Sequence, residues 1–265
     1  MEVPPKVVDT PNTARLNALS MKVLRVLSLA LVGVESLQYS QARKMLLIHG
    51  SGSSRGAFVN SPTDRGAQGF ISGVPCRQDA GSSQVPRNWQ YAAIDAGSND
   101  GTWYDADGKR LDASVKAVES FIEAQQGQIA GIVGHEQGGL VAAIVAARAA
   151  LGEGPLTLSF AIICGASMPA AKAYTDLLHR LSDSPGASVP TLHCLSESDA
   201  ASASGAELAS CFEPTAEILW HTRGNAMPDR SWWKSTMAYP DRAVGFKRYV
   251  DQYTIGDLFD PSTVY

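Results

Sequence analysis

Cysteine is scarce here and follows no pattern. Only four of the 265 residues are cysteines (Cys76, Cys164, Cys194 and Cys211), and no two form a C-x-x-C pair. That argues against a disulfide framework or a metal site, and leaves reduced thiols in or near a core as the plain reading. A basic excess is missing too: the net charge is −4, which gives nucleic acid no electrostatic footprint to bind. Long hydrophobic runs are absent. The most apolar stretch, ending near Val34, has roughly a dozen apolar residues, too few to span a bilayer as a helix. The glycine-rich run Gly50-Ser51-Gly52-Ser53-Ser54-Arg55-Gly56 misses G-x-G-x-x-G by one position, and no G-K-[ST] occurs, so no nucleotide cofactor is expected. Asp105-Ala106-Asp107-Gly108-Lys109 lacks the trailing glutamate of a calcium loop and reads as a polar turn. No internal repeat is visible. What remains is 45% hydrophobic and 18% charged residues, the balance of a folded globular chain long enough for one large domain.

The first forty-odd residues form an N-terminal extension, 1–43. Met1 to Thr13 reads as an unstructured lead-in. Leu16, Leu19, Val23, Val26, Leu27 and Ala30 then recur at helical spacing. Met21-Lys22-Val23-Leu24-Arg25 and the apolar residues after it resemble a basic n-region and a short h-region. Twenty residues precede that segment, and no clean A-x-A site follows. Three readings stay open: a helix packed on the domain or on a protein partner, a signal or targeting segment around 21–43, and a membrane anchor. The compartment, cytoplasmic or organellar, is left open with them.

From Lys44 onward, strand and helix alternate. Lys44–Ile48 is a buried-strand run followed by a Gly/Ser loop. Asn60 to Arg87, rich in Gly, Ser, Pro and Asp, reads as a long surface excursion, a length that is usually functional or disordered. Tyr91–Ile94, Ile129–Val133, Leu158–Cys164, Thr191–Leu195 and Ala216–Trp220 are the further strands. Helices are expected over Asp112–Gln126, Leu140–Ala150, Ala170–Leu181 and Gly205–Phe212, with a last one between Ser231 and Tyr249. This alternation predicts a mostly parallel, doubly wound sheet with helices on both faces. The domain runs over 44–250, with a C-terminal tail at 251–265. His179 and His193 read as solvent-facing or satisfied core histidines, and Trp232-Trp233 as core packing before any pocket role.

Serine is missing at the one place the pattern most demands it. Gly134-His135-Glu136-Gln137-Gly138-Gly139 follows a buried strand and opens an alanine-rich helix, as the nucleophile elbow G-x-S-x-G of an α/β-hydrolase does. Glutamate occupies the nucleophile position.

Five segments together resemble the eukaryotic serine hydrolase family often abbreviated FSH, over roughly Lys44 to Trp233. They are Leu47-Ile48-His49-Gly50-Ser51-Gly52; Ile94-Asp95-Ala96 with Trp103-Tyr104 and Ala113-Ser114; Gly127 to Gly138; Ser196-Glu197-Ser198-Asp199; and His221 to Pro228. The resemblance implies an α/β-hydrolase fold and assigns roles residue by residue. The nucleophile falls on Glu136, the acid on Asp199 and the histidine on Asn225. The oxyanion-hole donors fall on the backbone N–H of Ser51 and of Gln137. His49 in its post-strand loop reads as structural before catalytic.

Without the serine and the histidine, ordinary triad chemistry has neither its attacking alkoxide nor its proton carrier. The expectation is therefore a hydrolase-like protein with a degenerate triad, kept as a binding or structural component. The N-terminal helix and the 60–87 loop offer surface for a protein partner, and the pocket suits a small acyl-type ligand. The competing expectation is an active hydrolase with Glu136 as carboxylate nucleophile or base on an ester or epoxide. His221 or His135 would then substitute as the base that activates water.

Overall fold

The computed structural model describes residues 44–60, 90–155, 157–184, 187, 189–227, 239 and 243. The N-terminal extension, the excursion beyond Asn60, Trp232-Trp233 and the C-terminal tail lie outside them. Six strands form one sheet: β1 Lys44–Ile48, β2 Gln90–Ile94, β3 Ile129–His135, β4 Phe160–Cys164, β5 Thr191–Ser196 and β6 Ala216–His221. Their order is β2-β1-β3-β4-β5-β6, and each neighbouring pair is parallel. Among the described residues, five helices join them: α1 Arg55–Asn60, α2 Leu111–Ala124, α3 Gln137–Ala150, α4 Lys172–Ser182 and α5 Ser202–Ser210.

Strand residues alternate between two faces, each with its own core. Leu46, Ile48, Ile132, Ala161 and Ile163 pack on the apolar stripes of α2 to α5. Met45, Leu47, Val133, Ile162 and Cys164 pack on the other face with Phe58 of α1, Tyr239 and Ala243. Tyr239 and Ala243 are helical, within the span where the last helix is expected. Central β4 is buried along its whole length, which explains why it reads as a continuous apolar run rather than an alternating one. Helix α3 is apolar nearly all round because it is enclosed: Val141 to Ala147 are all fully buried.

Two differences from the sequence expectation bear on the site, while α5 runs over Ser202–Ser210 where Gly205–Phe212 is expected. Helix α3 begins at Gln137, three residues before Leu140, because Gly138 and Gly139 are carried in its first turn despite their poor helix propensity. The short helix α1 was not expected. Its first turn is tied by Phe58 N–H to Ser54 O at 2.8 Å and by Ala57 N–H to Ser54 Oγ at 3.2 Å, a serine cap hidden in a stretch that otherwise reads as loop. The chain leaves β1 toward β2 on one side, then returns to β3 on the other. The sheet therefore has its topological switch point between β1 and β3, where open α/β sheets bind ligands at the strands' carboxyl ends.

Candidate functional site

The carboxyl ends of β1 and β3 carry the Gly50–Ser51 loop and the elbow. β3 ends at His135 and α3 starts at Gln137, so Glu136 alone makes the turn. Its backbone sits at φ 51 and ψ −117, a sparsely populated conformation that costs a non-glycine residue roughly 1–3 kcal/mol. The flanking glycines are needed for close approach. A Cβ on Gly134 would lie 2.3 Å from Gly138 O, and one on Gly138 would lie 2.3 Å from His49 O. Glu136 N–H donates to Cys164 O at 2.8 Å, and Glu136 O accepts from Leu140 N–H at 3.1 Å. The turn is thereby fixed from both sides, and the side chain projects over the end of β1.

The Glu136 carboxylate reaches across to both neighbouring loops. Oε1 accepts from Asn225 Nδ2 at 2.5 Å. Oε2 lies 2.5 Å from where a Gly50 Cβ would stand. Asn225 follows β6, and its Oδ1 is buried with no hydrogen-bond partner among the described residues. The amide lies against Gly165, where a Cβ would fall 1.9 Å from Oδ1. The nucleophile and histidine positions assigned by resemblance are thus in direct contact.

The other assigned residues are placed differently. Asp199 follows β5 and accepts from Ala201 N–H at 2.9 Å, with its own N–H on Ser196 O at 3.2 Å. This is a local turn that leads into α5, and the structure shows no bond from Asp199 to Asn225. His135 Nε2 lies 3.0 Å from Asn225 O. A carbonyl only accepts, so that nitrogen carries the proton. The ring stacks on Phe58 with centroids 6.3 Å apart. His221 Nδ1 accepts from Arg223 N–H at 3.2 Å. Burial, then the Arg223 charge, pushes His221 below the usual histidine range, against an opposing pull from Glu197. Glu136 is hydrogen-bonded to Asn225 and to neither histidine.

Ser51 is exposed in the turn after β1, and Gln137 is half-buried at the start of α3. Neither N–H donates to the Glu136 carboxylate, whose hydrogen-bond donor is Asn225. Tyr104 is a site neighbour that sequence reasoning did not assign. Its phenol is pushed up to about 12 by burial and by the Glu136 charge, so it stays protonated beside the carboxylate. The signal for it was present in Trp103-Tyr104, quoted only as part of a family pattern. His49 is buried, with its ring 5.1 Å from that of Trp103. Among the described residues, no group of three or more His, Cys, Asp or Glu side chains is placed to hold a metal ion.

The family model for serine hydrolase (FSH1) matches residues 39–237. The chain belongs to the FSH1 serine hydrolase family. Among solved structures it is similar to acyl-protein thioesterase 2 of Zea mays, with 16% identity, a TM-score of 0.58, and coverage of 77% of this chain and 95% of that one. It is similar to SOBER1 of Arabidopsis thaliana at 15% identity and TM-score 0.52, covering 76% and 99%. A cold-adapted esterase from an Arctic intertidal metagenomic library matches at 19% identity and TM-score 0.50, covering 77% and 83%. These likenesses show the α/β-hydrolase fold. No curated protein matches the chain.

Proposed function

We propose that this family member has lost Ser-His-Asp esterase chemistry and serves as a binding or structural component built on the hydrolase scaffold. The observation that carries the proposal is the Glu136–Asn225 hydrogen bond of 2.5 Å. It joins the two altered triad positions to each other, while the carboxylate in the acid position closes its own local turn. A carboxamide neither takes nor returns a proton at neutral pH, so Asn225 cannot do the work of a histidine. Residual acceleration in triad-deficient hydrolases comes from the oxyanion hole and binding, about 10³–10⁴-fold over water.

The occupant of the pocket is proposed to be a small acyl-type ligand, in keeping with the thioesterase and esterase named among the structural neighbours. A protein partner would use the N-terminal segment or the 60–87 loop, both beyond the described residues.

One observation favours the second reading. Glu136 is half-buried rather than sealed, and among the described residues its one hydrogen-bond donor, Asn225, is bonded to Oε1. A carboxylate so placed can attack an alkyl carbon without a base. Hydrolysis of the resulting ester still needs a histidine to activate water, and the Nδ1 lone pair of His221 already accepts from Arg223 N–H.

The deciding experiment is hydrolysis of a panel of short and medium acyl esters and epoxides by the purified chain and by Glu136→Gln. No turnover in either folded protein is the expected result. Turnover by the wild type that disappears in Glu136→Gln would overturn the proposal in favour of the second reading.

A further inference from the structure

We infer that the segment Gly101–Tyr104 is a brace that holds the two backbone-donor loops of the site in register, and that the Gln137 side chain is its latch. The segment bonds to three separate elements. Toward the loop after β1, Gly101 O accepts from Gly52 N–H at 3.2 Å, and Trp103 Nε1–H donates to His49 O at 2.8 Å. Toward the elbow, Trp103 N–H donates to Gln137 Oε1 at 2.9 Å, and Gln137 Nε2–H donates to Tyr104 O at 3.0 Å. Toward α2, Trp103 O accepts from Ser114 Oγ–H. Trp103 itself is almost fully buried, so its indole fixes the segment by packing as well as by bonding.

The arrangement places Ser51 between two residues that the brace holds, His49 through its carbonyl and Gly52 through its N–H. On the other side, the brace holds the side chain of Gln137, the residue that presents the second N–H. Contact is close throughout. Gly101 has φ +68, and a Cβ there would fall 2.1 Å from Ser53 O, so the segment cannot back away from the loop without losing the fit.

The residue type at position 137 follows from this geometry. Its side chain faces one backbone N–H and the C=O of the next residue, as a paired strand would. A carboxamide accepts and donates at once without charge, from two atoms spaced much as a peptide's own are. Glutamate would keep the bond from Trp103 but lose the one to Tyr104, and methionine would fill the space and lose both. Gln137 is a positioning residue, and its role does not depend on whether Glu136 is catalytic.

The test is residue-resolved amide exchange by NMR on the full chain carrying Gln137→Met, with Gln137→Glu and Trp103→Phe beside it. Faster exchange at Trp103 alone would show only a lost hydrogen bond. The discriminating amide is Gly52, which Gln137 does not bond. The expected result in Gln137→Met is exchange at Gly52 about tenfold faster, an effect typical of a local opening, with amides of β4 and β5 unchanged. Gln137→Glu should give a smaller rise at Gly52, and Trp103→Phe should loosen it without changing the β4 and β5 amides. Unchanged exchange at Gly52 in Gln137→Met would overturn the brace. So would an equal rise across β4 and β5, which marks general destabilisation. If Gln137→Met does not fold, the same two readouts in Gln137→Glu and Trp103→Phe decide.

Discussion

Asn225 donates to Glu136 across 89 residues of chain, at 2.5 Å, from the loop after β6 to the elbow after β3. The bond is charge-assisted, and such bonds run roughly twice as strong as neutral ones. It also gives one physical account of the glutamate and the asparagine that stand where the resemblance would put the serine and the histidine. A histidine at 225 would face a carboxylate instead of a hydroxyl, while an asparagine there offers that carboxylate an N–H.

That pairing predicts coupling. Glu136→Ala would leave a half-buried carboxamide with both polar atoms unsatisfied, and Asn225→Ala would leave the carboxylate without its donor. Each should cost about 1–3 kcal/mol. The double variant should cost less than the sum, with a coupling energy of about 1–2 kcal/mol for residues in direct contact. Urea unfolding of the four proteins checks this; additive costs would show that the bond contributes nothing.

Gly50 supplies the second prediction. A methyl group there would meet Glu136 Oε2 at 2.5 Å and His135 Nδ1 at 2.9 Å. The carboxylate can swing aside only by giving up Asn225. Gly50→Ala should therefore destabilise by about 1–3 kcal/mol. In a Glu136→Ala background the same change should cost clearly less, with the His135 contact remaining. Equal costs in both backgrounds would remove Glu136 as the residue that requires glycine at position 50.

Much of this architecture is legible in the chain itself. Continuous apolar runs such as Phe160–Cys164 mark strands buried on both faces, and the 3.6-residue spacing of Val115, Val118 and Ile122 marks a helix with one buried stripe. Gly134 and Gly138 announce the elbow because nothing larger fits between β3, α3 and the loop after β1. The site was less legible, for a physical reason. Its decisive contact joins positions 136 and 225, and no local pattern encodes what an asparagine so far along the chain will touch. The placement of Asp199 shows the same limit: an acid after a strand fits the family order, yet its hydrogen bonds stay within its own turn. Tyr104 escaped because its relevance comes from burial beside a charge, and spacing does not report burial.

Asp100 gives a prediction about the loop that leads into the Trp103 segment. Its carboxylate accepts from Thr102 Oγ1 at 2.7 Å and Thr102 N–H at 3.2 Å. The Thr102 hydroxyl, then Ser98 and the Thr102 backbone, pull its pKa from 3.8 down to about 2. A depressed acid stabilises the folded form above its unfolded value, and that contribution is lost as pH falls from about 4 toward 2. Carboxyl-carbon NMR titration should show Asp100 ionised at pH 3, and Thr102→Val should move its midpoint up toward the ordinary value. A midpoint unmoved by Thr102→Val would assign the shift elsewhere.

His193 predicts a pH dependence on the basic side of that window. The imidazole is fully buried on β5, with Nε2 3.2 Å from Thr191 Oγ1 and no partner at Nδ1 among the described residues. Burial alone lowers its pKa from 6.5 to about 3. Above about 6.5 the ring is neutral in both folded and unfolded chains and stability is unaffected. As pH falls below that value the unfolded chain takes up a proton that the folded one refuses, so stability is lost progressively toward pH 3. The loss is about 1.4 kcal/mol per pH unit, or roughly 2 kcal/mol between pH 6.5 and 5. Urea unfolding at pH 7.5 and pH 5 should show wild type losing that much more than His193→Leu, since the other titrating groups are common to both. The same loss in both proteins would place the proton uptake on another residue. A rise in wild-type stability toward pH 5 relative to the variant would mean that the imidazole is held protonated in the core.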